Sequence, residues 1–149
     1  MTLYAGENAM ADCIYSKQVE KWGVFEVRMN GKTEGNPFTD YEINGTFTSA
    51  DESKTVTGFY DGNGEYVVRF MPDFEGAYHF IVSGSFADEV FEGDFKAVAP
   101  LGNNHGYMTI RDTFHFCYAD KTPYYSLGTT CYAWVHQSEE MQEQTLKTL

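Results

Sequence analysis

Hydrophobic and polar residues alternate with a period of two along much of the chain, which is the pattern of β-strands with one buried and one solvated face. The inner positions of three such strands are Phe25, Val27 and Met29, then Tyr41, Ile43 and Phe47, and later Tyr78, Phe80 and Val82. Shorter strand-like stretches follow at 86–91, 94–98, 107–110 and 113–118. The sequence therefore predicts an all-β chain as far as Ala119.

The clearest local element is a β-hairpin. Residues 55–60 and 65–71 are two β-rich runs, and Asp61-Gly-Asn-Gly64 between them supplies the positive φ angles that tight hairpin turns need. Pro72 ends the second run because it has no N–H to donate to a ladder. Calcium is coordinated by carboxylate and carbonyl oxygens such as those of the Asp61–Gly64 loop. The further acidic residues of a calcium-binding loop are missing, however, which favours a plain turn.

Tyr78 begins its strand just after Glu75-Gly76, behind the corner that Pro72 marks. An acid-Gly-x-Tyr in this place resembles the tyrosine corner of immunoglobulin-like sandwiches, where the phenol OH binds upstream backbone. Together with the many short strands, this predicts an antiparallel β-sandwich of the immunoglobulin or fibronectin type III kind.

The pattern changes beyond Ala119. Residues 124–134 are strand-like, and residues 138–149 predict a helix with Ser138 as N-cap and two glutamates in its first turn. We therefore expect an N-terminal tail at 1–18, a β-sandwich domain at 19–119 and a short β-α appendage at 120–149.

Composition narrows the choice of ligands. The chain has 149 residues, 17% of them aromatic, and a formal net charge of −12. An acidic surface repels nucleic-acid phosphates and anionic lipids, so neither is expected as a partner, whereas neutral glycans stay allowed. No apolar stretch approaches the ~20 residues that a membrane-spanning helix needs.

The three cysteines, Cys13, Cys117 and Cys131, are an odd number without Cys-x-x-Cys spacing, which favours free thiols over a metal site or a disulfide framework. The first residues contain no apolar segment typical of a signal peptide. Unpaired thiols and the missing leader together favour a cytoplasmic location.

Several segments jointly resemble a known arrangement. Residues 19–26, 35–38, 58–72 and 75–78 resemble an uncharacterised immunoglobulin-like domain that precedes the catalytic barrel of apiosidase-like glycoside hydrolases. Residues 104–106, 114–120 and 123–134 are similar to its junction with that barrel. The resemblance implies that 120–149 is the start of a (β/α)8 barrel, with 124–134 as its first strand and 138–149 as its first helix.

Candidate chemistry is sparse. Glycoside hydrolysis generally needs two flanking carboxylates, and none of the 22 acids lies in a diagnostic pattern. His79, His105 and His115 lack metal-ligand spacing, so no metal or cofactor is expected. Barrel enzymes place their sites after the strands, so Trp134, His136 and Gln137 are candidates to line the substrate pocket of a parent enzyme.

We therefore expect a non-catalytic accessory domain that packs on the catalytic barrel of the same polypeptide and helps to shape it. One alternative is a carbohydrate-binding module that stacks polysaccharide on exposed aromatics, with Trp22 as the candidate platform. Another is a protein-interaction module, because immunoglobulin-like folds host many functions. A strand edge and apolar helix face in 124–149 would also invite a homodimer through that segment.

Overall fold

The computed structural model describes residues 13–86 and 90–149. Its strands are β1 (Cys13–Tyr15), β2 (Gln18–Glu20), β3 (Phe25–Asn30), β4 (Ile43–Thr48), β5 (Ser53–Thr57), β6 (Phe59–Gly62), β7 (Glu65–Phe70), β8 (Gly76–Gly84), β9 (Val90–Val98), β10 (Met108–Arg111) and β11 (His115–Tyr118). The helices are α1 (Pro37–Asp40) and α2 (Glu139–Thr148), with a 3-10 turn at Trp134–His136. The predicted all-β fold with a short C-terminal helix is confirmed.

Two sheets form the sandwich. One has the order β1-β3-β7-β6 and the other β2-β9-β8-β4-β5, while β10 and β11 form a separate two-stranded sheet. Neighbouring strands are antiparallel, as predicted, except that β2 runs parallel to β9 with Gln18 opposite Lys96 and Glu20 opposite Val98. Residues 13–18 of the expected tail thus include β1 and the first residue of β2, whereas residues 1–12 lie outside the described part.

The chain crosses between the two sheets at Gly58. The 55–60 run was expected to form one strand of the hairpin, but β5 pairs with β4 in one sheet and β6 pairs with β7 in the other. A side chain at Gly58 would meet the carbonyl oxygen of Val67, so only glycine fits the crossing. The hairpin itself is confirmed for β6 and β7, and its turn contains Gly62, Asn63 and Gly64 with positive φ.

An aromatic core fills the space between the sheets. Phe47 stacks on Phe70 with ring centroids 4.3 Å apart, and Phe25 stacks on Phe95 at 3.8 Å. All nine inner positions predicted from the alternation are buried apart from Tyr41, which is half-buried against the core. Burial of this much aromatic surface is the main contribution to the stability of the sandwich.

The side chain of Tyr78 stabilises the corner that precedes β8. Its hydroxyl donates to a carboxylate oxygen of Glu52 and lies 3.3 Å from the backbone nitrogen of Phe74 and 3.2 Å from its carbonyl oxygen. The predicted bond to upstream backbone is thus present. Burial and the neighbouring Glu52 raise the pKa of the Tyr78 phenol to about 12.

Two further predictions of strands were wrong. Residues 94–98 and the end of the 86–91 run belong to one continuous strand, β9, because residues 90–97 pair with the long β8 without a break; residues 87–89 lie outside the described part. The 124–134 segment is not a strand: the bridge between Pro123 and Cys117 lies just before it, and the Tyr124 N–H donates to the Phe116 carbonyl of β11 at 3.2 Å. A strand needs a partner for its backbone groups, and beyond Tyr124 no described strand pairs with this segment.

Candidate functional site

The segment after β9 is attached to the sandwich at the turn between β2 and β3. The backbone N–H of Leu101 donates to the Glu20 carboxylate at 2.7 Å, and the Asn104 side chain donates to the carbonyl of Lys21 at 3.1 Å. These bonds join residues that are far apart in the sequence. They attach the segment between Leu101 and the β10–β11 hairpin to the two large sheets.

Trp22 is the centre of this junction. Its backbone has φ 63°, an uncommon left-handed conformation for a bulky residue. The Lys21 ammonium lies 4.3 Å from the indole centroid, a cation–π distance. A Cβ at Gly106 would come within 2.6 Å of the indole, so the backbone there packs directly on the ring. The half-buried Trp22, our candidate for sugar stacking, therefore contacts other parts of the same chain.

A histidine–aspartate pair closes the junction on the other side. His105 Nδ1 lies 2.7 Å from Asp120 Oδ2, and the imidazole packs at 5.3 Å from the Tyr118 ring. The His105 contact, helped by the backbone N–H of Thr122, lowers the pKa of Asp120 below its usual range. Tyr118 in turn meets Tyr124 edge-on at 5.4 Å. The pair thus holds the chain that leaves β11 against the start of the hairpin.

The β10–β11 hairpin has two different faces. Cross-strand pairing puts Ile110 opposite Phe116 and Met108 opposite Tyr118 on one face. Met108, Ile110 and Phe116 are 52%, 65% and 46% exposed. Cys117, on the opposite face, is fully buried. We call the exposed set of Met108, Ile110 and Phe116 the hairpin face.

A groove of about 450 Å³ lies next to the hairpin face. It is lined by Arg111, Phe114, His115, Phe116, Pro123, Tyr124, Tyr125, Ser126 and Leu127. Its size is within the range of small-ligand pockets, and it combines four aromatic rings with a few polar groups. This groove was not predicted from the sequence, although the clustered aromatic residues at 114–116 and 124–125 are visible there.

Trp134, His136 and Gln137 lie together at the start of α2. The indole N–H of Trp134 donates to the Gln142 carbonyl at 3.2 Å, and the Gln142 side chain donates to the carbonyl of Gln137 at 2.8 Å. The His136 side chain is exposed. The Ser138 hydroxyl accepts from the Met141 N–H, as predicted for the N-cap. Their role as substrate-lining residues stays a prediction.

Several other titratable groups form surface ion pairs. His79 lies 3.0 Å from Asp94 on the outer face of β8 and β9, and Arg28 is paired with Glu26 at 2.8 Å and Glu65 at 2.5 Å. Within residues 13–86 and 90–149, no group of three or more His, Cys, Asp or Glu is arranged to hold a metal ion. No helix in the described part is long and apolar enough to cross a membrane.

Comparison with known proteins places this geometry in a larger context. The profile of a family described as a domain of unknown function, DUF5060, matches residues 18–85. No curated protein is significantly similar to the chain. A crystal structure of a "putative glycoside hydrolase" from Bacteroides vulgatus ATCC 8482 superposes with a TM-score of 0.81 at 41% sequence identity. The match covers 89% of this chain and 26% of that one, so the chain spans about a quarter of the length of its relative.

Proposed function

We propose that the chain is the non-catalytic, immunoglobulin-like accessory part of a glycoside hydrolase and that it packs on the catalytic barrel of the same polypeptide. The observation that carries this proposal is the 41% identity with one quarter of a larger protein that is named as such an enzyme. The DUF5060 match covers β2 to β8, which is the larger part of the sandwich.

The topology supports the immunoglobulin-like part of the proposal. In immunoglobulin domains, strands A, B, E and D form one sheet, and C, F and G form the other. Counting β1 and β2 as two halves of strand A, the orders β1-β3-β7-β6 and β9-β8-β4 correspond to A-B-E-D and G-F-C. Tyr78 begins the strand that corresponds to F, where immunoglobulin domains have their corner tyrosine.

Two partly enclosed glutamates, Glu26 and Glu52, are not suited to be catalytic acids. Glu52 is 6% exposed and is held by Lys54 and Tyr78, and Glu26 is held by two arginines. A catalytic acid needs a raised pKa to keep its proton at neutral pH. Burial favours a raised pKa in both Glu26 and Glu52, but their hydrogen bonds outweigh it and lower the pKa of each. We infer that the hydrolytic carboxylates belong to the barrel.

The boundaries at 19–119 and 120–149 form part of the same proposal. In α2 and at its C-cap, Met141, Leu146 and Leu149 are 53%, 62% and 73% exposed, which is unusual for the apolar side of a helix in a folded domain. Neighbouring elements of a barrel would cover these side chains. The 124–134 segment would gain its strand conformation from a parallel neighbour, as barrel strands do.

Activity assays on two proteins test the proposal. We would express this chain and the complete polypeptide that its gene encodes, and assay both against a panel of aryl glycosides and plant polysaccharides. We expect hydrolysis by the complete polypeptide alone. Turnover by the 149-residue chain, or a complete polypeptide without a hydrolase domain, would refute the proposed function.

A carbohydrate-binding module is the second candidate, because the groove beside the hairpin contains four aromatic rings and Arg111. Aromatic faces stack on sugar rings, and a few convergent polar groups set orientation. Affinity electrophoresis on plant polysaccharides distinguishes this candidate. Retardation of the chain that Phe114→Ala abolishes and that Trp22→Phe leaves intact would establish a glycan site in the groove.

A further inference from the structure

Exposed apolar side chains are concentrated on one part of the molecule. The outer faces of the sandwich are mainly polar, with single exposed apolar residues such as Ile14, Ile81 and Val90 among the polar ones. Thr46 bonds Thr55 at 2.9 Å across β4 and β5, and Glu26 with Arg28 covers part of the other sheet. Beyond β9 the pattern reverses. The strongly exposed large apolar residues of that region include Leu101, Met108, Ile110, Phe114, Tyr125, Leu127, Tyr132 and Val135. Apolar patches of this kind mark surfaces that another structural element covers.

The hairpin face is the ordered part of this surface. β10 and β11 have four residues each and form a sheet of their own. A two-stranded hairpin of this length is marginally stable in water and usually needs packing on a further layer. The opposite face of the hairpin is packed against other residues, because Cys117 on that face is buried. The hairpin face is not covered in this way by any part of the described structure.

The junction presents the hairpin face in a fixed orientation. Trp22 packs on Gly106, two residues before β10, and the His105–Asp120 pair joins the two ends of the hairpin. A surface that is held rigid before association loses little conformational entropy when a partner covers it. This favours a specific docking surface over a loose apolar loop.

We propose that the hairpin face, Met108, Ile110 and Phe116, is the surface through which the sandwich docks on the catalytic domain of the same polypeptide. This inference rests on the proposed function. Because all three side chains of the hairpin face are apolar, the surface that covers them would be an uncharged, apolar patch on the barrel. The similar hydrolase has about three quarters of its chain outside the matched region, which supplies a partner of sufficient size.

The chemistry of the hairpin face favours this occupant over a glycan. Within the hairpin face only Phe116 offers a flat aromatic plane, and none of the three side chains offers a hydrogen-bonding group, whereas sugar sites use both. Apolar aliphatic and aromatic side chains without charge are typical of the buried centre of a protein interface. The nearest ionisable residues of the two strands, Arg111 and His115, alternate onto the opposite face.

Hydrogen exchange on the complete polypeptide tests the docking surface. We expect the amides of β10 and β11 to exchange at least about tenfold more slowly in the complete polypeptide than in the 149-residue chain, because docking suppresses local opening. The strands β4 and β8, which are covered in both proteins, should exchange equally and serve as internal reference.

A matched pair of variants adds specificity. Ile110→Glu places a charge in the proposed interface, whereas Ile14→Glu places the same charge on the outer side of β1, where Ile14 is 50% exposed and lies opposite Arg28. We expect Ile110→Glu alone to abolish the slow exchange of the hairpin in the complete polypeptide. Met108→Glu is a second variant if Ile110→Glu fails to fold, and each variant is first compared with the unmodified chain by thermal melting.

The outcomes separate the two proposals. Equal hairpin exchange in both proteins, while the complete polypeptide still hydrolyses glycosides, would overturn the docking surface and leave the proposed function intact. Protection that depends on the concentration of the isolated chain would assign the face to a second copy. Protection that appears only with added oligosaccharide would assign it to a glycan. Either result would also overturn the proposal.

Discussion

Replacement of Tyr78 by phenylalanine should destabilise the sandwich although it removes a single oxygen atom. The ring of Tyr78 stacks on Phe95 with centroids 5.0 Å apart, and a phenylalanine ring would keep that contact. The lost group is the hydroxyl, which donates to Glu52 and touches the backbone of Phe74. Because the Glu52 side chain is 6% exposed, water cannot replace the lost donor there.

The expected loss in free energy of unfolding is about 2 kcal/mol. A hydrogen bond to a charged group contributes about 1.5–3 kcal/mol and a neutral one about 0.5–1.5 kcal/mol. The two contacts with Phe74, at 3.3 and 3.2 Å, are long for a hydroxyl, so the bond to Glu52 dominates. For a domain of about 100 residues, each kcal/mol lowers Tm by roughly 4–8 °C.

Urea unfolding of a double-mutant cycle with Tyr78→Phe and Glu52→Gln measures the pair. We expect a coupling energy of about 1–2 kcal/mol at pH 7 between these contacting groups. Tyr60→Phe is the matched control, because the Tyr60 hydroxyl accepts only the neutral Gly64 N–H, at 2.9 Å. Its loss should be about 0.5–1.5 kcal/mol and independent of pH.

The pH dependence has a defined sign. Burial by itself would raise the pKa of Glu52, but hydrogen bonds from Lys54, Tyr78 and the Asp73 backbone lower it below its ordinary value. A carboxyl with a lowered folded-state pKa stabilises the fold above its unfolded pKa of about 4.3, and this contribution is lost as the pH falls through the folded value. A coupling energy near zero at pH 7, or one that grows on acidification, would refute the reasoning.

Other changes test other parts of the structure. Phe47→Ala removes a fully buried ring and should cost about 3–5 kcal/mol in urea unfolding, a large part of the stability of a typical domain; a smaller cost than that of Ile14→Ala on the exposed side of β1 would contradict this. Gly58→Ala should cost about 1–3 kcal/mol because its Cβ would meet Val67, whereas Gly128→Ala, in open space, should be neutral. Trp22→Ala should accelerate hydrogen exchange in the β10–β11 hairpin and leave β8 unchanged; unchanged exchange in the hairpin would exclude Trp22 as its support. His136→Ala in the complete polypeptide should lower kcat/KM, and an unchanged value would dismiss His136 as a substrate-lining residue.

Local patterns predicted the sandwich well because its strands alternate cleanly. Phe25, Val27 and Met29 are all buried, and the Asp61–Gly64 turn has the positive φ angles that its sequence demands. The crossing at Gly58 could not be predicted in the same way. Residues 55–60 have high strand propensity except at Gly58, and a glycine within such a run does not by itself show that the chain changes sheets. The close approach of the Val67 carbonyl, which only glycine allows, is visible in the folded structure alone.

Long-range contacts explain most of what the sequence did not reveal about the site. Trp22 was a candidate for sugar stacking because its side chain is a large aromatic ring. In the structure this ring packs on Gly106, and a contact between such distant parts of the chain cannot be predicted from local sequence. Residues 124–134 have strand propensity without a neighbouring strand to pair with, and propensity alone does not make a strand. The Ser138 N-cap was predictable because capping needs only residues within one turn of the helix.

The parallel pairing of β2 with β9 determines how the sandwich would respond to tension. If a pulling force acts on the chain before Gln18 and after Val98, the two strands are drawn in opposite directions along their common axis. All the hydrogen bonds between them are then loaded at the same time, whereas an antiparallel hairpin pulled from its open end separates bond by bond. Between a tethered leading segment and the hairpin that follows β9, the domain would act as a stiff mechanical link.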